Sequence, residues 1–240
     1  MSLAAPAGML LVDKPTGWTS HDCVAVLRKL FPRGTKVGHA GTLDPLATGL
    51  LTILVGPCTR LQERLQGFDK AYSGTIRLGV RTDTGDITGK VVEEKPLGAL
   101  ARPAIEKAVA GLVGEIEAPA PAYSAVKHEG RKLYEYARAG EAIPVKPRKT
   151  TVRSWDVLGW EPPELSYRLT CSSGTYVRTM AELLGERLGV GGTVSALRRE
   201  SVGPFTMAQG RPLEDWRKLP PGELAVALAE SIPALEAALK

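Results

Sequence analysis

The 240-residue sequence predicts an α+β fold with a mixed, mainly antiparallel sheet flanked by helices. Strand-like and helix-like segments do not alternate regularly, as they would in a doubly wound parallel sheet. Apolar residues make up 43% of the chain, which is enough for a substantial core. The sequence has neither a dinucleotide-binding glycine fingerprint nor a phosphate-loop lysine motif.

The first segments follow recognisable periods. Continuous apolar runs predict buried strands at residues 9–12 and 50–55, and alternation predicts a strand at residues 70–78. Thr19 or Ser20 can cap a helix that Gly34 closes. That helix would carry one apolar stripe, made of Cys23, Val24, Leu27, Leu30 and Phe31.

Later segments continue the mixture of strands and helices. Strands are predicted at residues 90–93 and 165–171, and helices at residues 103–112, 175–188 and 224–239. Residues 122–127 are flanked by Pro119, Pro121 and Gly130. A basic helix is expected after this segment. That helix would run through Arg131, Lys132 and Arg138. We expect this region to be an exposed excursion from the sheet.

Composition narrows the class of protein. The 31 Lys and Arg residues exceed the 26 Asp and Glu residues, and the net charge of +5 weakly favours a polyanionic partner. The three cysteines lie far apart and lack the spacing of a zinc site, so we expect no metal. No apolar run approaches the roughly 20 residues that cross a bilayer. The expected protein is soluble and cytoplasmic.

The segment Gly38–Leu51 places one aspartate among turn-forming residues, directly ahead of an apolar run. Asp44 precedes Pro45, which disfavours helical backbone and favours an extended conformation that presents the carboxylate to a cleft. Asp44 is therefore a candidate catalytic residue. In the alternative interpretation, Asp44 only accepts hydrogen bonds from turn amides.

Other polar residues are candidates with open alternatives. A carboxylate in a dry cleft needs a cation to stay ionised, and spacing does not choose between Arg178 and Arg198, each of which could instead be a surface charge or a phosphate contact. His39 lies between two glycines, with no bulky neighbour in sequence to hide it. It could be a general base, an aromatic wedge against nucleobases, or a loop histidine bonded to backbone. Tyr72 and Tyr176 could stack on a base or lie in the core.

Taken together, an ordered set of segments resembles the TruB family of tRNA pseudouridine synthases, which isomerise uridine 55 in the T loop. The match does not depend on one motif, which makes it specific. The matching segments are Val12–Ser20, Gly38–Leu51, Lys70–Tyr72, Thr82–Asp86, Tyr123–Lys127, Gly174–Thr179 and Leu197–Arg199.

The resemblance implies a pseudouridine synthase fold with a central active-site cleft. Asp44 would be the catalytic aspartate, Arg178 its ion-pair partner, and Tyr72 the ring stacked on the target uracil. Isomerisation breaks the bond from C1′ to N1 and joins C1′ to C5 without redox change or hydrolysis, so no cofactor is expected. The carboxylate could attack C6, attack C1′ or remove the 2′ proton, and the sequence leaves these routes open.

The resemblance also implies a set of substrate-binding residues. His39 would fill the space that flipped bases leave in the T loop, and Tyr176 and Leu197 would contact the flipped nucleotide. Lys14 is counted in this set and, with Pro15, belongs to the first motif, which supports the catalytic loop.

The organisation implied is a single catalytic domain over residues 1–240, with an RNA-gripping insertion at about 117–146. Within the insertion, Lys127, Arg131 and Lys132 are expected to contact phosphates of the tRNA T arm. Many bacterial members continue into a small C-terminal PUA domain, which is expected to be absent here. We expect a monomer with no obligate protein partner.

Three rival functions follow from the same residues. One is a guide-dependent synthase of the same superfamily that modifies ribosomal RNA. Another is a tRNA-binding or tRNA-folding protein without catalysis. A glycosidase with paired carboxylates is the third, and the sequence offers no second acid at a persuasive position.

Overall fold

The computed structural model describes residues 6–124, 126–141 and 146–240. The chain divides into two compact units. Unit one comprises Met1–Tyr72 and Arg198–Lys240, and unit two comprises Ser73–Leu197. Each of two strands, Lys70–Leu78 and Gly192–Val202, contributes residues to both units. The expectation of one catalytic domain over the whole chain stays a prediction.

The elements of the described residues are numbered here in chain order. The strands are β1 (Gly8–Lys14), β2 (Val37–Ala40), β3 (Thr48–Val55), β4 (Lys70–Leu78), β5 (Val80–Thr82), β6 (Val91–Glu94), β7 (Gly114–Ala118), β8 (Lys127–His128), β9 (Arg131–Lys132), β10 (Arg148–Glu161), β11 (Glu164–Cys171), β12 (Gly192–Val202), β13 (Phe205–Thr206) and β14 (Arg211–Pro212). The helices are α1 (Ser20–Arg28), α2 (Gln62–Gln66), α3 (Arg102–Ala110), α4 (Leu133–Arg138), α5 (Val177–Arg187), α6 (Leu213–Lys218) and α7 (Pro221–Ala238).

Unit one is built on a mixed sheet in the order β14–β1–β3–β12, with β2 also paired to β3. Strands β1 and β3 are antiparallel over their full length, whereas β12 runs parallel to β3. Every residue of β3 after Thr48 is buried, as its mostly apolar sequence requires. The buried hydroxyl of Thr52 donates to the Ala40 carbonyl at 2.9 Å. This strand connects the loop that carries Asp44 to the core.

Helix α7 packs against the first strand of unit one. The backbone N–H of Met9 donates to Ser231 Oγ at 2.7 Å, and a Cβ added at Gly8 would lie 2.4 Å from the carbonyl oxygen of Leu228. A glycine is required at this close approach. The cluster beneath combines residues from the sheet and the helices, namely Met9, Ala40, Leu50, Leu54, Leu65, Val202, Phe205 and Leu235.

Unit two has an antiparallel core. Its strands follow the order β12–β4–β11–β10–β7, and β10 pairs antiparallel with both β11 and β7. Two hairpins, β5–β6 and β8–β9, form separate two-stranded sheets. Helix α5 follows β11 through a turn at Gly174, which has φ +81.

The α+β class with a mixed, mainly antiparallel sheet is confirmed. Most predicted elements are present with nearly the expected bounds, including β1, β3, β4, β11, α3, α5 and α7. Thr19 caps α1 as expected, through a reciprocal pair of hydrogen bonds with Asp22. The helix ends at Arg28 and does not continue to Gly34. Pro32 explains the early end, because a proline disfavours helical backbone at the residue before it.

The predicted basic helix is confirmed only at Arg138, which lies on α4. Arg131 and Lys132 do not lie on a helix but form β9, which pairs with β8, and α4 begins at the next residue, Leu133. Glu129 at φ +48 and Gly130 at φ +87 form the turn of this hairpin. The charge pattern of the segment does not reveal this pairing, which depends on the turn.

Among the described residues, no helix has both the length and the apolar character that a membrane crossing demands.

Gly49 provides a test of the β3–β12 pairing. Its φ is +94, and an added Cβ would lie 2.3 Å from the carbonyl oxygen of Arg199 on the paired strand. Gly49→Ala therefore adds a backbone clash to the strain of the positive φ, and we expect a loss of more than about 2 kcal/mol in unfolding free energy. Thermal unfolding followed by calorimetry measures it.

Gly34→Ala is the matched control. Gly34 has a similar φ of +92, but nothing lies within 4 Å of the added Cβ. This variant reports the strain alone, so a loss as large as that of Gly49→Ala would contradict the predicted clash.

Candidate active site

The loop that carries Asp44 connects two paired strands of unit one. Strand β2 pairs antiparallel with β3, with His39 opposite Ile53 and Ala40 opposite Thr52, so residues 41–47 form the connection. Asp44 is half-buried in this loop. Just before it, Ser20 Oγ accepts from the N–H of Leu43 at 2.8 Å and donates to the Leu43 carbonyl at 3.0 Å. The hydroxyl of α1 thus fixes the backbone next to Asp44.

A buried lysine supports the same loop from β1. The Lys14 side chain is fully buried, and its ammonium group donates to the carbonyl oxygens of Pro15 at 2.9 Å, Trp18 at 2.7 Å and Pro45 at 3.4 Å. Burial lowers the pKa of Lys14, while electrostatic interactions with Cys23 and Asp44 oppose that shift. Three acceptors occupy the three donors of the ammonium group. The arrangement fits support of the loop, and the substrate contact expected of Lys14 stays a prediction.

The two arginines of β12 have different environments. Arg198 is paired with Asp13 through two hydrogen bonds, 3.1 and 2.9 Å long, in a half-exposed position. Arg199 is only 1% exposed. Its guanidinium donates to the carbonyl oxygens of Leu50 at 2.7 Å, Gly41 at 3.0 Å and Thr42 at 3.4 Å. The sequence assigned no role to this second arginine.

Tyr72 lies in unit one with Asp44. The residue is 8% exposed, and its hydroxyl accepts a hydrogen bond from Arg199. Burial lowers the pKa of Arg199, and the contact with Tyr72 opposes this shift. One guanidinium therefore contacts the start of the Asp44 loop, the strand β3 that follows it, and the tyrosine that was expected to stack on a base.

His39 is less open than the small residues around it, Gly38, Ala40 and Gly41, suggested. The residue belongs to β2 and is half-buried, and its Nδ1 is buried without a hydrogen-bond partner among the described residues. Burial lowers the pKa of His39, and the positive charge of Arg199 lowers it further. The imidazole is therefore neutral at pH 7.

Unit two holds the other candidates. Arg178 lies in the first turn of α5 and is 4% exposed; its guanidinium donates to the carbonyl oxygens of Thr84 at 2.8 Å and Tyr123 at 2.9 Å. The Arg178 side chain thus connects three of the segments that resemble the family: its own, that of Thr84 and that of Tyr123. Tyr176 is the N-cap of α5 and half-buried, and Leu197 on β12 is 9% exposed.

An acidic residue lies one helical turn after Arg178. Burial raises the pKa of Glu182, while the positive charges of Arg81 and Arg178 oppose the shift. A Cβ added at Gly85 would lie 3.0 Å from Glu182 Oε1 and 3.2 Å from the Arg178 Cβ. The Thr82–Asp86 turn therefore packs closely on this face of α5.

The basic segment of unit two is described in part. The Arg131 guanidinium lies 4.0 Å from the centroid of the Tyr136 ring, and also pairs with Glu141 at 3.4 Å. The Lys132 ammonium lies 5.4 Å from the Tyr134 ring centroid. The side chain of Lys127, residue 125 and residues 142–145 lie outside what the structure describes. The phosphate contacts expected of this segment stay predictions.

Comparison with solved structures supports the class of fold. The chain is similar to one in the crystal structure of a Cbf5–Nop10–Gar1 complex, with a TM-score of 0.67 and 29% identity over 87% of this chain and 53% of that one. A chain in the structure of an H/ACA RNP bound to a substrate RNA gives a TM-score of 0.64 and 27% identity, over 87% of this chain and 51% of that one. This chain therefore spans about half the length of these solved relatives.

The chain belongs to the TruB family of pseudouridylate synthases, since residues 28–177 match the model of that family's N-terminal domain. Curated relatives agree with this assignment. The tRNA pseudouridine synthase B of Trichormus variabilis is 46% identical over 87% of this chain and 71% of its own length. The protein of the same name from Aromatoleum aromaticum is 44% identical over 95% of this chain and 73% of its own length.

The buried His39 makes stability depend on pH. Its folded pKa lies below the ordinary value of 6.5, so the unfolded chain binds a proton at a pH where the folded imidazole stays neutral. The unfolding free energy should fall as the pH drops below about 6.5 and level off once the folded pKa is passed. In His39→Gln that contribution is lost, and the melting temperature measured from about pH 7.5 to about pH 5 should change less than in the wild type.

His21→Gln is the control, because His21 is an exposed residue of α1. It should retain the wild-type decrease. Equal slopes for the wild type and His39→Gln would contradict the prediction.

Proposed function

We propose that this chain isomerises uridine 55 to pseudouridine in the T loop of tRNA, with Asp44 as the catalytic residue. The observation that carries the proposal is the fixed loop around Asp44, which Ser20, Lys14 and Arg199 hold by hydrogen bonds to its backbone. Loops with this support present a side chain in a set position, as catalysis requires. Membership of the pseudouridylate synthase family and the names of the relatives support the reaction and the substrate.

The reaction needs no redox partner. The bond from C1′ to N1 breaks, the uracil rotates, and C1′ joins C5; the hydrogen on C5 leaves as a proton and N1 gains one. A carboxylate can start this by attack at C6, by attack at C1′ or by removal of the 2′ proton. All three routes use Asp44 at the sugar or base of a single uridine.

The uridine has to leave the RNA stack before Asp44 can reach it. Extrusion costs a few kcal/mol, which stacking and phosphate contacts must offset. We assign the stacking to Tyr72 and the space left in the T loop to His39. By the family resemblance, Tyr176 and Leu197 contact the flipped nucleotide, and Arg178 is the cation that pairs with the catalytic carboxylate.

Substrate recognition is proposed to use the T arm of tRNA. The basic segment with Lys127, Arg131 and Lys132 would supply phosphate contacts. Guide-dependent modification of ribosomal RNA is the less favoured reaction, because the relatives named for tRNA are 44–46% identical to this chain and the chain from the structure of an H/ACA RNP is only 27% identical.

Tritium release tests the reaction and its residue. The protein is incubated with a T-arm stem-loop whose uracils carry tritium at C5, and release of about one equivalent to water is expected, because joining C1′ to C5 expels that hydrogen. Asp44→Asn keeps the size of the side chain but removes its charge, and should abolish release while RNA affinity is unchanged.

Two controls accompany this assay. Asp156→Asn changes an exposed carboxylate of β10 and should release tritium at the wild-type rate. A stem-loop with cytidine at the target position should release none. Tight RNA binding with no release by the wild type would contradict the enzyme and leave a protein that binds tRNA.

A salt titration tests the phosphate contacts. Neutralising Lys127, Arg131 and Lys132 together should weaken RNA binding and flatten its dependence on salt. The slope should change by about 0.7 to 0.9 for each phosphate that the protein no longer neutralises. Affinity is measured by fluorescence anisotropy at several salt concentrations.

A control variant neutralises exposed lysines of the same unit, Lys90, Lys95 and Lys107. It removes the same charge from the protein but should leave the slope closer to that of the wild type. Identical slopes for the two triple variants would count against specific contacts by the basic segment.

A further inference from the structure

Arg199 binds backbone on both sides of the catalytic residue. Gly41 and Thr42 precede Asp44, and Leu50 follows it; the carbonyl oxygens of all three accept from one guanidinium, at 3.0, 3.4 and 2.7 Å. A single side chain thus binds the start of the loop and the strand that follows the loop. A change in the position of this guanidinium alters its hydrogen bonds on both sides of Asp44.

The guanidinium also reaches Tyr72. The Tyr72 hydroxyl accepts a hydrogen bond from Arg199, and both side chains are buried. A guanidinium is planar and presents its donors in a fixed fork, so the directions to its several acceptors are not independent. The loop of Asp44 and the hydroxyl of Tyr72 are therefore both bound by the same rigid group, the Arg199 guanidinium.

The main chain of Arg199 is fixed as well. Arg199 is the partner of Gly49 in the parallel pairing of β12 with β3, and its carbonyl oxygen would lie 2.3 Å from a Cβ on that glycine. The backbone of Arg199 cannot shift towards β3 without a clash. The side chain therefore extends from a fixed point to the loop.

We propose that Arg199 is a positioning residue that sets the distance and angle between the Asp44 carboxylate and the Tyr72 ring. The inference rests on the proposed function, and it adds a residue that acts through the loop without touching the RNA. Replacing Arg199 should slow the chemical step and leave RNA binding intact. A displacement of about 1 Å at reacting groups is enough to cost roughly 100-fold in rate.

Substitution of Arg199 by lysine distinguishes a role of the guanidinium geometry from a role of the positive charge alone. Arg199→Lys keeps a buried cation but has three donors on one tetrahedral nitrogen, which cannot reproduce the planar fork. Arg199→Met removes the charge as well and leaves loop carbonyls without this donor. The lysine variant therefore tests geometry, and the methionine variant is the more severe change.

The experiment measures single-turnover isomerisation and RNA affinity for both variants. Arg199→Lys should slow the single-turnover rate by roughly 10- to 100-fold with an unchanged Kd. The control is Arg28→Lys, because Arg28 also donates to a backbone carbonyl of unit one, that of Val37 at 3.1 Å, but is exposed and lies outside the loop. It should turn over like the wild type.

A double-mutant cycle tests the connection to Tyr72. Tyr72→Phe keeps the ring and removes only the hydroxyl that Arg199 binds. If Arg199 acts partly through that hydroxyl, the rate losses of Arg199→Lys and Tyr72→Phe should not add in the double variant. Additive losses would overturn the connection. Tyr72→Phe also serves if an Arg199 variant does not fold, and a wild-type rate for it would then overturn the connection.

Failure of the inference and failure of the proposed function give different results. An active wild type together with a folded Arg199→Lys of equal rate overturns the positioning role. A wild type without turnover overturns the function instead, and hydrogen exchange then decides the inference. Faster exchange confined to residues 38–51 in Arg199→Met supports the positioning role, and exchange equal to that of the wild type overturns it.

Discussion

The buried guanidinium of Arg199 is the interaction on which the candidate active site depends. Placing a charge in a protein interior costs several kcal/mol unless hydrogen bonds replace its water. The loop after β2 and the strand β3 provide the carbonyl oxygens that accept these hydrogen bonds. The backbone thus stabilises the buried cation, and the cation in turn fixes the start of the loop.

Two further buried cations use the same device. Lys14 binds three carbonyl oxygens from the residues after β1 and from the Asp44 loop, and Arg178 binds the carbonyls of Thr84 and Tyr123 in unit two. Each cation binds backbone carbonyls of segments that are separate in sequence. A polar active site needs well-placed loops without a hydrophobic cover, and buried cations meet this need by binding backbone.

The sequence revealed the parts of the fold that have a clear period. β3 and β4 are buried as their apolar runs and alternation indicate, and Thr19, one of the two predicted caps, caps α1. β12 was missed because burial of Arg199 places a charge where the strand pattern calls for an apolar residue.

The residues of the candidate site likewise fall into those that the sequence could predict and those that it could not. The turn-forming residues around Asp44 were enough to single it out, and the segments that resemble the family named its companions. Arg199 could not be recognised, because its role depends on carbonyls up to about 160 residues away in sequence, which only the folded sheet brings together. In the sequence, Leu197-Arg198-Arg199 shows two adjacent charges without alternation. Only the folded strand distinguishes the half-exposed Arg198 from the buried Arg199.

The position of the modified nucleotide decides whether this chain acts on the T loop of tRNA. Unmodified tRNA transcripts are incubated with the protein, treated with a carbodiimide that marks pseudouridine, and read by primer extension. We expect one new stop, which corresponds to uridine 55 of the T loop. Stops elsewhere without one at this position, or no stop in any transcript, would contradict it.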